Sequence, residues 1–170
     1  TQVGRDGYVR ALNGLGNVYL TVDNYPMAYR YLSRALAVER RSGNLRGMAI
    51  NYANIGRVMR DENHADSAWI YFRKSMEMNR RTGDEVGRAL CHNYYGTMYE
   101  YEGDYDRATS EYEQAYLLLV RQNDRWHYLE PCVSLARIYM KRRTTATAME
   151  YLQEALMTAR ELHSPDHLAQ

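Results

Sequence analysis

The 170-residue sequence has little proline, cysteine and phenylalanine, and it lacks a long apolar run. Only three prolines interrupt a chain rich in good helix formers, which favours helix. Two cysteines, Cys91 and Cys132, are too few for a disulfide framework and are expected to be small buried thiols. No run approaches the roughly 18–20 apolar residues that a membrane span needs. The chain also begins at Thr1 without a Met, so we interpret it as a piece of a longer protein.

The charge is nearly balanced overall, with a net value of +1. A domain that binds nucleic acid through bulk charge usually has a basic stripe, so we expect no direct nucleic-acid contact from this segment. Locally the charge is uneven, because residues 9–48 carry six Arg and two acids whereas residues 89–128 carry three Arg and seven acids. Solvated faces with head-to-tail preferences between units, or a partner of mixed charge, are both consistent with this pattern.

The sequence repeats its design every forty residues. The stretch NYANIGRVM at 51–59 has counterparts at the same spacing, which are ALNGLGNVY at 11–19, CHNYYGTMY at 91–99 and PCVSLARIY at 131–139. Such self-similarity is typical of repeat solenoids. Four repeats follow, at 9–48, 49–88, 89–128 and 129–168. Small residues recur at positions 8, 20 and 27 of each repeat, as close helix packing requires.

Bulky residues and helix breaks alternate within each repeat. Positions 7, 24 and 28 hold large side chains, and the steps 20, 24, 27 and 28 match the buried stripe of an amphipathic helix. Position 16 is occupied by Asn24, His64, Asp104 and Thr144, three of which are good N-cap residues. Gly, Asn or His at position 35 is followed by a capping Asn, Asp or Ser. Each repeat therefore predicts two antiparallel helices, an A helix at about positions 1–14 and a B helix at about 17–34.

This pattern resembles the tetratricopeptide repeat (TPR). The matching residues of the first repeat are Leu12, Leu15, Gly16, Tyr19, Ala28, Leu32 and Ala35. Those of the second are Tyr52, Ile55, Gly56, Met59, Ala68, Phe72 and Ser75. The resemblance implies an all-α, right-handed superhelical solenoid of four antiparallel helix pairs, forming one domain over residues 1–170.

The repeats depart from the usual TPR pattern in two respects. They are forty residues long, where the usual unit has thirty-four, and they lack the Pro that usually stands near position 32. Repeats of this length are similar to those of Leu-Gly-Asn adaptor proteins and of sensor segments in bacterial regulators and histidine kinases. Ser164 and Pro165 look like the start of a further helix, so a fifth repeat is expected in the parent protein.

The resemblance also implies a binding surface, because A helices of the family line a concave face that binds peptides. Positions 2, 5, 6, 9, 12 and 13 point into that groove. The candidate residues are Asn13, Asn17, Asn54, Arg57, Tyr94, Thr97, Ser134 and Arg137. Asn side chains can hold a peptide backbone, and the two Arg can clamp a carboxylate through two hydrogen bonds. Alternatively, the Asn side chains bridge adjacent helices and the tyrosines simply pack.

No catalytic or cofactor-binding pattern stands out. His163 and His167 are four residues apart, but Pro165 interrupts them, and His127 lies near Cys132 without a third orienting group. The glycines occur at helix contacts and helix ends, not in a phosphate-binding loop. The acidic residues between Glu100 and Asp106 are interpreted as a solvated turn.

We therefore expect a non-catalytic scaffold without a cofactor that binds a protein or peptide partner through its A helices. In a bacterial signalling protein it would serve as a sensory or coupling segment. A module that forms homo-oligomers is the main alternative. A small-molecule sensor or hydrolase would need a convergent acid, base or metal group that the sequence does not show. The compartment and the ligand stay open.

Overall fold

A computed structural model describes residues 2–162, and over that range the chain forms eight α-helices and no strand. The helices are α1 Gln2–Thr21, α2 Tyr25–Ser42, α3 Leu45–Asp61, α4 Ala65–Thr82, α5 Glu85–Glu102, α6 Tyr105–Arg121, α7 Leu129–Lys141 and α8 Thr145–Leu162. The odd-numbered helices are the expected A helices and the even-numbered ones the B helices. The expected all-α fold of helix pairs is confirmed.

The chain divides into two compact units between Gly87 and Arg88. The first unit holds α1 to α4, and α1 contacts both α2 and α3. The second holds most of α5 together with α6, α7 and α8. The division falls beside the boundary expected between the second and third repeats. A single domain over residues 1–170 stays a prediction, and the helix start expected at Ser164 and the pair His163 and His167 lie outside the described residues.

Side-chain caps explain where four of the helices begin. Asn24 and Asp104 accept hydrogen bonds from backbone N–H groups three residues on, as expected of N-caps. Asn44 and Asp84 do the same for the next A helices. Because of these caps, α3 and α5 begin four residues earlier than the predicted start of the A helices. The four B helices match their predicted bounds to within one residue.

Positions 15 and 35 of the repeat turn through the left-handed backbone region wherever the structure describes them. Gly43 and Gly83, both with φ of +67°, end α2 and α4 as predicted. Position 15 was not predicted to be special, yet its φ is positive in all four repeats. Its residues and φ values are Asp23 (56°), Asn63 (62°), Gly103 (81°) and Arg143 (61°). The turn at position 15 thus also uses the left-handed region, and only one repeat has glycine there.

Position 8 brings the A and B helices of a pair into close contact. A Cβ atom built on Gly16 would lie 2.6 Å from Leu32, and one on Gly56 would lie 2.6 Å from the Phe72 ring. In the second unit a Cβ on Gly96 would meet Tyr112 at 2.6 Å. The large partners at position 24 are fully buried in these three pairs. This confirms that the small residues serve helix packing.

Some bulky residues predicted to be buried are exposed. Leu15 on α1 and Leu152 and Leu156 on α8 have large exposed fractions. The residue at position 24 is buried in the other three repeats, and the residues at positions 7 and 28 are buried in the second repeat and half-buried in the third. Both cysteines are buried, as expected, and neither forms a disulfide bond. No helix between residues 2 and 162 has the length and apolar character needed to cross a membrane.

Candidate functional site

Two candidate residues, Asn13 and Asn17, lie one helical turn apart on α1. Both side chains are half-buried. The Oδ1 atom of each is buried and has no hydrogen-bond partner. An unpaired buried polar atom costs about 1–3 kcal/mol, so these amide oxygens do not hold helices together. The interpretation that the Asn side chains bridge adjacent helices is therefore wrong for the Oδ1 atoms of this pair.

The other two candidates of the first unit, Asn54 and Arg57, lie on α3. Arg57 Nη1 donates to Asn54 Oδ1 at 3.4 Å, a long contact within the same helix. Asn54 is buried and Arg57 is half-buried. We call Asn13, Asn17, Asn54 and Arg57 the Asn–Arg patch, which lies on two helices in contact with each other.

In the second unit, three candidates meet in one open cleft of about 470 Å³ between α5 and α7. Thr97 comes from α5, and Ser134 and Arg137 come from α7. The rest of the lining is Leu129, Glu130 and Val133. Tyr94 is not part of the lining; its backbone carbonyl accepts a hydrogen bond from the Thr97 hydroxyl. We call this feature the α5–α7 cleft.

Arg137 clamps a carboxylate, but the carboxylate belongs to the chain itself. Its Nε donates to Glu100 Oε1 at 3.0 Å and its Nη2 donates to Glu100 Oε2 at 2.8 Å. Lys141 Nζ donates to Glu100 Oε1 at 3.0 Å, and the buried Tyr112 hydroxyl donates to Glu100 Oε2 at 3.1 Å. Glu100 thus accepts four hydrogen bonds from three side chains. The Arg137 fork that was predicted to grip a ligand's carboxylate is therefore already paired with Glu100, and binding of a ligand's carboxylate stays a prediction.

The electrostatics of Glu100 follow from these contacts. Burial by itself would raise the pKa of this carboxyl, but the hydrogen bonds from Arg137 and Lys141 outweigh that effect and hold the pKa at about 2. Burial, with Glu100 nearby, raises the pKa of the Tyr112 hydroxyl. The interpretation of the acidic run as a solvated turn is therefore wrong for Glu100. Asp106, in the same run, pairs with Arg142.

Two histidines of the second unit contact carboxylates, and the Cys132 thiol is buried. His127 Nδ1 lies 2.7 Å from Asp124 Oδ2 at the turn before α7, and His92 Nδ1 lies 2.7 Å from Glu111 Oε2. Burial raises the pKa of the Cys132 thiol to about 12, so this thiol stays protonated at neutral pH. Across residues 2–162, no three His, Cys, Asp or Glu side chains are grouped so that they could hold a metal ion.

Four residues in or beside the cleft were missed at the sequence level although the repeat numbering marks them. Glu130, Val133 and Lys141 occupy positions 2, 5 and 13 of the fourth repeat, and Glu100 occupies position 12 of the third. All four positions belong to the set expected to face inward. The charges of Glu100 and Lys141 could have indicated this pairing from the sequence, because an acid at position 12 of one A helix can pair with a base at position 13 of the next.

Family models described as tetratricopeptide repeat match residues 8–81 and 132–169. Together with the helix pairs and their packed small residues, these matches show the family. The chain belongs to the tetratricopeptide repeat family. No curated protein matches the sequence.

Solved structures of low sequence identity share the fold. The apo form of RapI has 17% identity and a TM-score of 0.76, with 91% of this chain and 57% of that chain covered. The Rap conjugation gene regulator of plasmid pLS20, solved with a Phr peptide, has 15% identity and a TM-score of 0.84, with coverage of 96% and 45%. The pilF protein of Pseudomonas aeruginosa has 23% identity and a TM-score of 0.70, with coverage of 92% and 64%. The chain thus spans about half to two thirds of those chains. Its architecture is that of a protein-interaction scaffold.

Proposed function

We propose that the chain is a non-catalytic scaffold that binds a protein or peptide segment through the inward positions of its A helices. The observation that carries this proposal is the convergence of Thr97, Ser134 and Arg137 in the α5–α7 cleft. The cleft combines two apolar walls, Leu129 and Val133, with the polar side chains of Thr97, Glu130 and Ser134. A peptide presents apolar side chains beside polar groups, so the two surfaces complement each other.

The Asn–Arg patch supports the same proposal from the first unit. Asn13 and Asn17 carry buried amide oxygens without a partner, and rotation of these half-buried side chains towards a peptide N–H would remove the energetic cost of leaving them unpaired. The Asn54 and Arg57 contact of 3.4 Å is long enough to be exchanged for a shorter one. Neither pair of side chains is therefore committed to holding the fold.

We further propose that the chain is a sensory or coupling segment of a bacterial signalling or regulatory protein. The similarity to the Rap conjugation gene regulator, solved in complex with a Phr peptide, favours this context. In such a protein, peptide binding to the A helices would be transmitted to an output domain elsewhere in the parent chain.

The cleft is tested by selecting a random dodecapeptide library on the immobilised chain. Selected peptides are then measured against Val133→Trp, which fills the cleft from an exposed position. Leu117→Trp on α6 is the matched control, because Leu117 and Val133 are both 46% exposed and Leu117 does not line the cleft. We expect binding to be lost in the first variant and kept in the second. Equal binding by both variants, or no selected peptide at all, would contradict the use of the cleft.

The Asn–Arg patch is tested with the double variant Asn54→Ala and Arg57→Ala. Because the contact between the two side chains is long, we expect the melting temperature to change little. Peptides or proteins that require the patch should no longer bind. If binding and stability fall together, the two side chains are structural and the patch is not a binding surface.

Self-association is the second candidate, and one observation favours it. The α8 helix exposes a row of apolar side chains, which are Met149, Leu152, Leu156 and Met157. A second copy of the chain could cover this row. Light scattering over a concentration series should then show a mass that rises with concentration, and Leu156→Glu should abolish the rise. A mass independent of concentration would exclude this candidate.

A further inference from the structure

Glu100 forms ion pairs with two cations at the α5–α7 cleft, Arg137 and Lys141. Its side chain is only 13% exposed, whereas those of Arg137 and Lys141 are 48% and 45% exposed. The carboxylate therefore lies beneath two cations that solvent can reach. The fork of Arg137 that would grip a ligand's carboxylate, Nε with Nη2, already holds Glu100.

Arg137 is paired with Glu100, so the charged side chain that lines the cleft without an ion-pair partner in the described part of the chain is the negative Glu130. Glu130 lies in the first turn of α7, is exposed, and has no ion-pair partner among residues 2–162. Leu129 and Val133 beside it are apolar, and Thr97 and Ser134 are neutral. Residues 88–162 as a whole carry eleven acidic and nine basic side chains, a net charge of −2. The local charge and that of the surrounding residues thus have the same sign.

We infer that Glu100 is a specificity-determining residue that denies Arg137 and Lys141 to acidic ligands, so that the cleft selects a segment with a basic side chain next to an apolar one. This inference rests on the proposed function of the cleft. The basic side chain pairs with Glu130 and its apolar neighbour packs on Leu129 and Val133.

The energetic reason is the cost of displacing Glu100. An incoming carboxylate would have to take Arg137 away, and Glu100 would then be left nearly buried with fewer partners. Breaking a buried pair from one side is expensive, because an uncompensated charge remains. A basic side chain meets no such penalty, since the carboxylate of Glu130 is already at the surface.

Inorganic phosphate tests the role of Glu100 without any peptide. The isotope-labelled chain is titrated with phosphate while the backbone and Arg137 Nε signals are followed by NMR. Glu100→Gln frees the cations, so we expect phosphate to bind this variant about tenfold more tightly than the wild type, with shifts at Arg137 and Thr97. Glu150→Gln removes the same charge from an exposed site on α8 and should not change phosphate binding. Circular dichroism and melting show that each variant is folded. Unchanged phosphate binding by folded Glu100→Gln would overturn the inference.

The peptide library tests the selected charge. Peptides that bind the wild type but not Val133→Trp are cleft-dependent, and they should carry Lys or Arg beside an apolar residue. They should lose about two- to fivefold in affinity for Glu130→Gln, which keeps the shape of the side chain. Acidic cleft-dependent peptides would overturn the inference and leave the proposed function standing. A library without cleft-dependent peptides would count against the proposed function, and the phosphate titration would still decide whether Glu100 withholds the cations.

Discussion

Individual polar residues of the A helices differ in whether the fold already uses their hydrogen-bonding groups. Glu100 and Arg137 use theirs within the chain, whereas Asn13 and Asn17 have amide oxygens without partners. The first pair should therefore contribute to stability, and the second should not. Both statements can be checked by substitution.

Replacing Asn13 and Asn17 by Ala should not lower stability. No hydrogen bond of Oδ1 is lost, and Ala is the better helix former, so the free energy of unfolding should rise by up to about 0.5 kcal/mol per residue. Denaturant unfolding of each variant measures this change. A loss of about 1 kcal/mol would instead show that the amides make an interhelical bond that stabilises the fold.

Glu100 should make stability depend on pH in the acidic range. Its pKa is about 2 in the folded chain, below its ordinary value of 4.5, so the folded state favours the ionised form. The resulting stabilisation is complete above pH 4.5 and disappears as the pH falls through 2. We therefore expect the stability difference between wild type and Glu100→Gln to shrink over that interval. A difference that stays constant with pH would mean that the ion pairs do not form in solution.

At the scale of the helices, the atoms packed around each glycine decide how its replacement by Ala changes stability. A Cβ on Gly56 would lie 2.6 Å from Phe72, whereas a Cβ on Gly14 of α1 would have no other atom within 4 Å. Gly56→Ala should therefore lower the free energy of unfolding by about 1–3 kcal/mol. Gly14→Ala should raise it by about 0.5–1 kcal/mol through helix propensity. Thermal or denaturant unfolding distinguishes the two, and equal effects would contradict the packing of position 8.

The turns between helices offer a second matched pair. Gly103 and Arg143 both have positive φ at position 15 of their repeats. Gly103→Ala should cost about 1–2 kcal/mol, because an L-residue is strained in that conformation. Arg143→Gly should stabilise the chain by about 0.5 kcal/mol, the relieved strain minus the greater flexibility of Gly when unfolded. A stabilising Gly103→Ala would show that the turn has another conformation.

Helix boundaries and close contacts were predictable because they depend on residues that recur at the same positions of each repeat. The forty-residue spacing located Gly16, Gly56 and Gly96, and the caps located the B helices. The left-handed turn at position 15 was not predictable from residue type, since Asp23 and Arg143 are not glycines. It follows from the need to reverse the chain within about three residues.

At the scale of the whole molecule, the repeat pattern predicted which helices carry the candidate site better than it predicted the contacts there. The inward positions of the family included Thr97, Ser134 and Arg137, which do meet in one cleft. The pairing of Arg137 with Glu100 joins residues 37 positions apart, and spacing alone does not choose between an internal and an external carboxylate. That choice depends on side-chain packing in three dimensions.

The two units differ in the sign of their net charge, as the uneven charge along the sequence indicates. Residues 2–87 carry thirteen basic and nine acidic side chains, a net charge of +4, whereas residues 88–162 carry −2. Each unit should therefore attract a different part of a partner of mixed charge. Binding to such a partner should weaken as salt is added.

The most direct test of binding through the A helices is NMR mapping of a library-selected peptide on the isotope-labelled chain. For a peptide that binds the α5–α7 cleft we expect the largest shifts at Thr97, Ser134 and Arg137, and for one that binds the Asn–Arg patch at Asn13 and Asn17. The exposed faces of α2, α4, α6 and α8 should be unaffected. Shifts confined to those even-numbered helices would contradict the proposed binding surface.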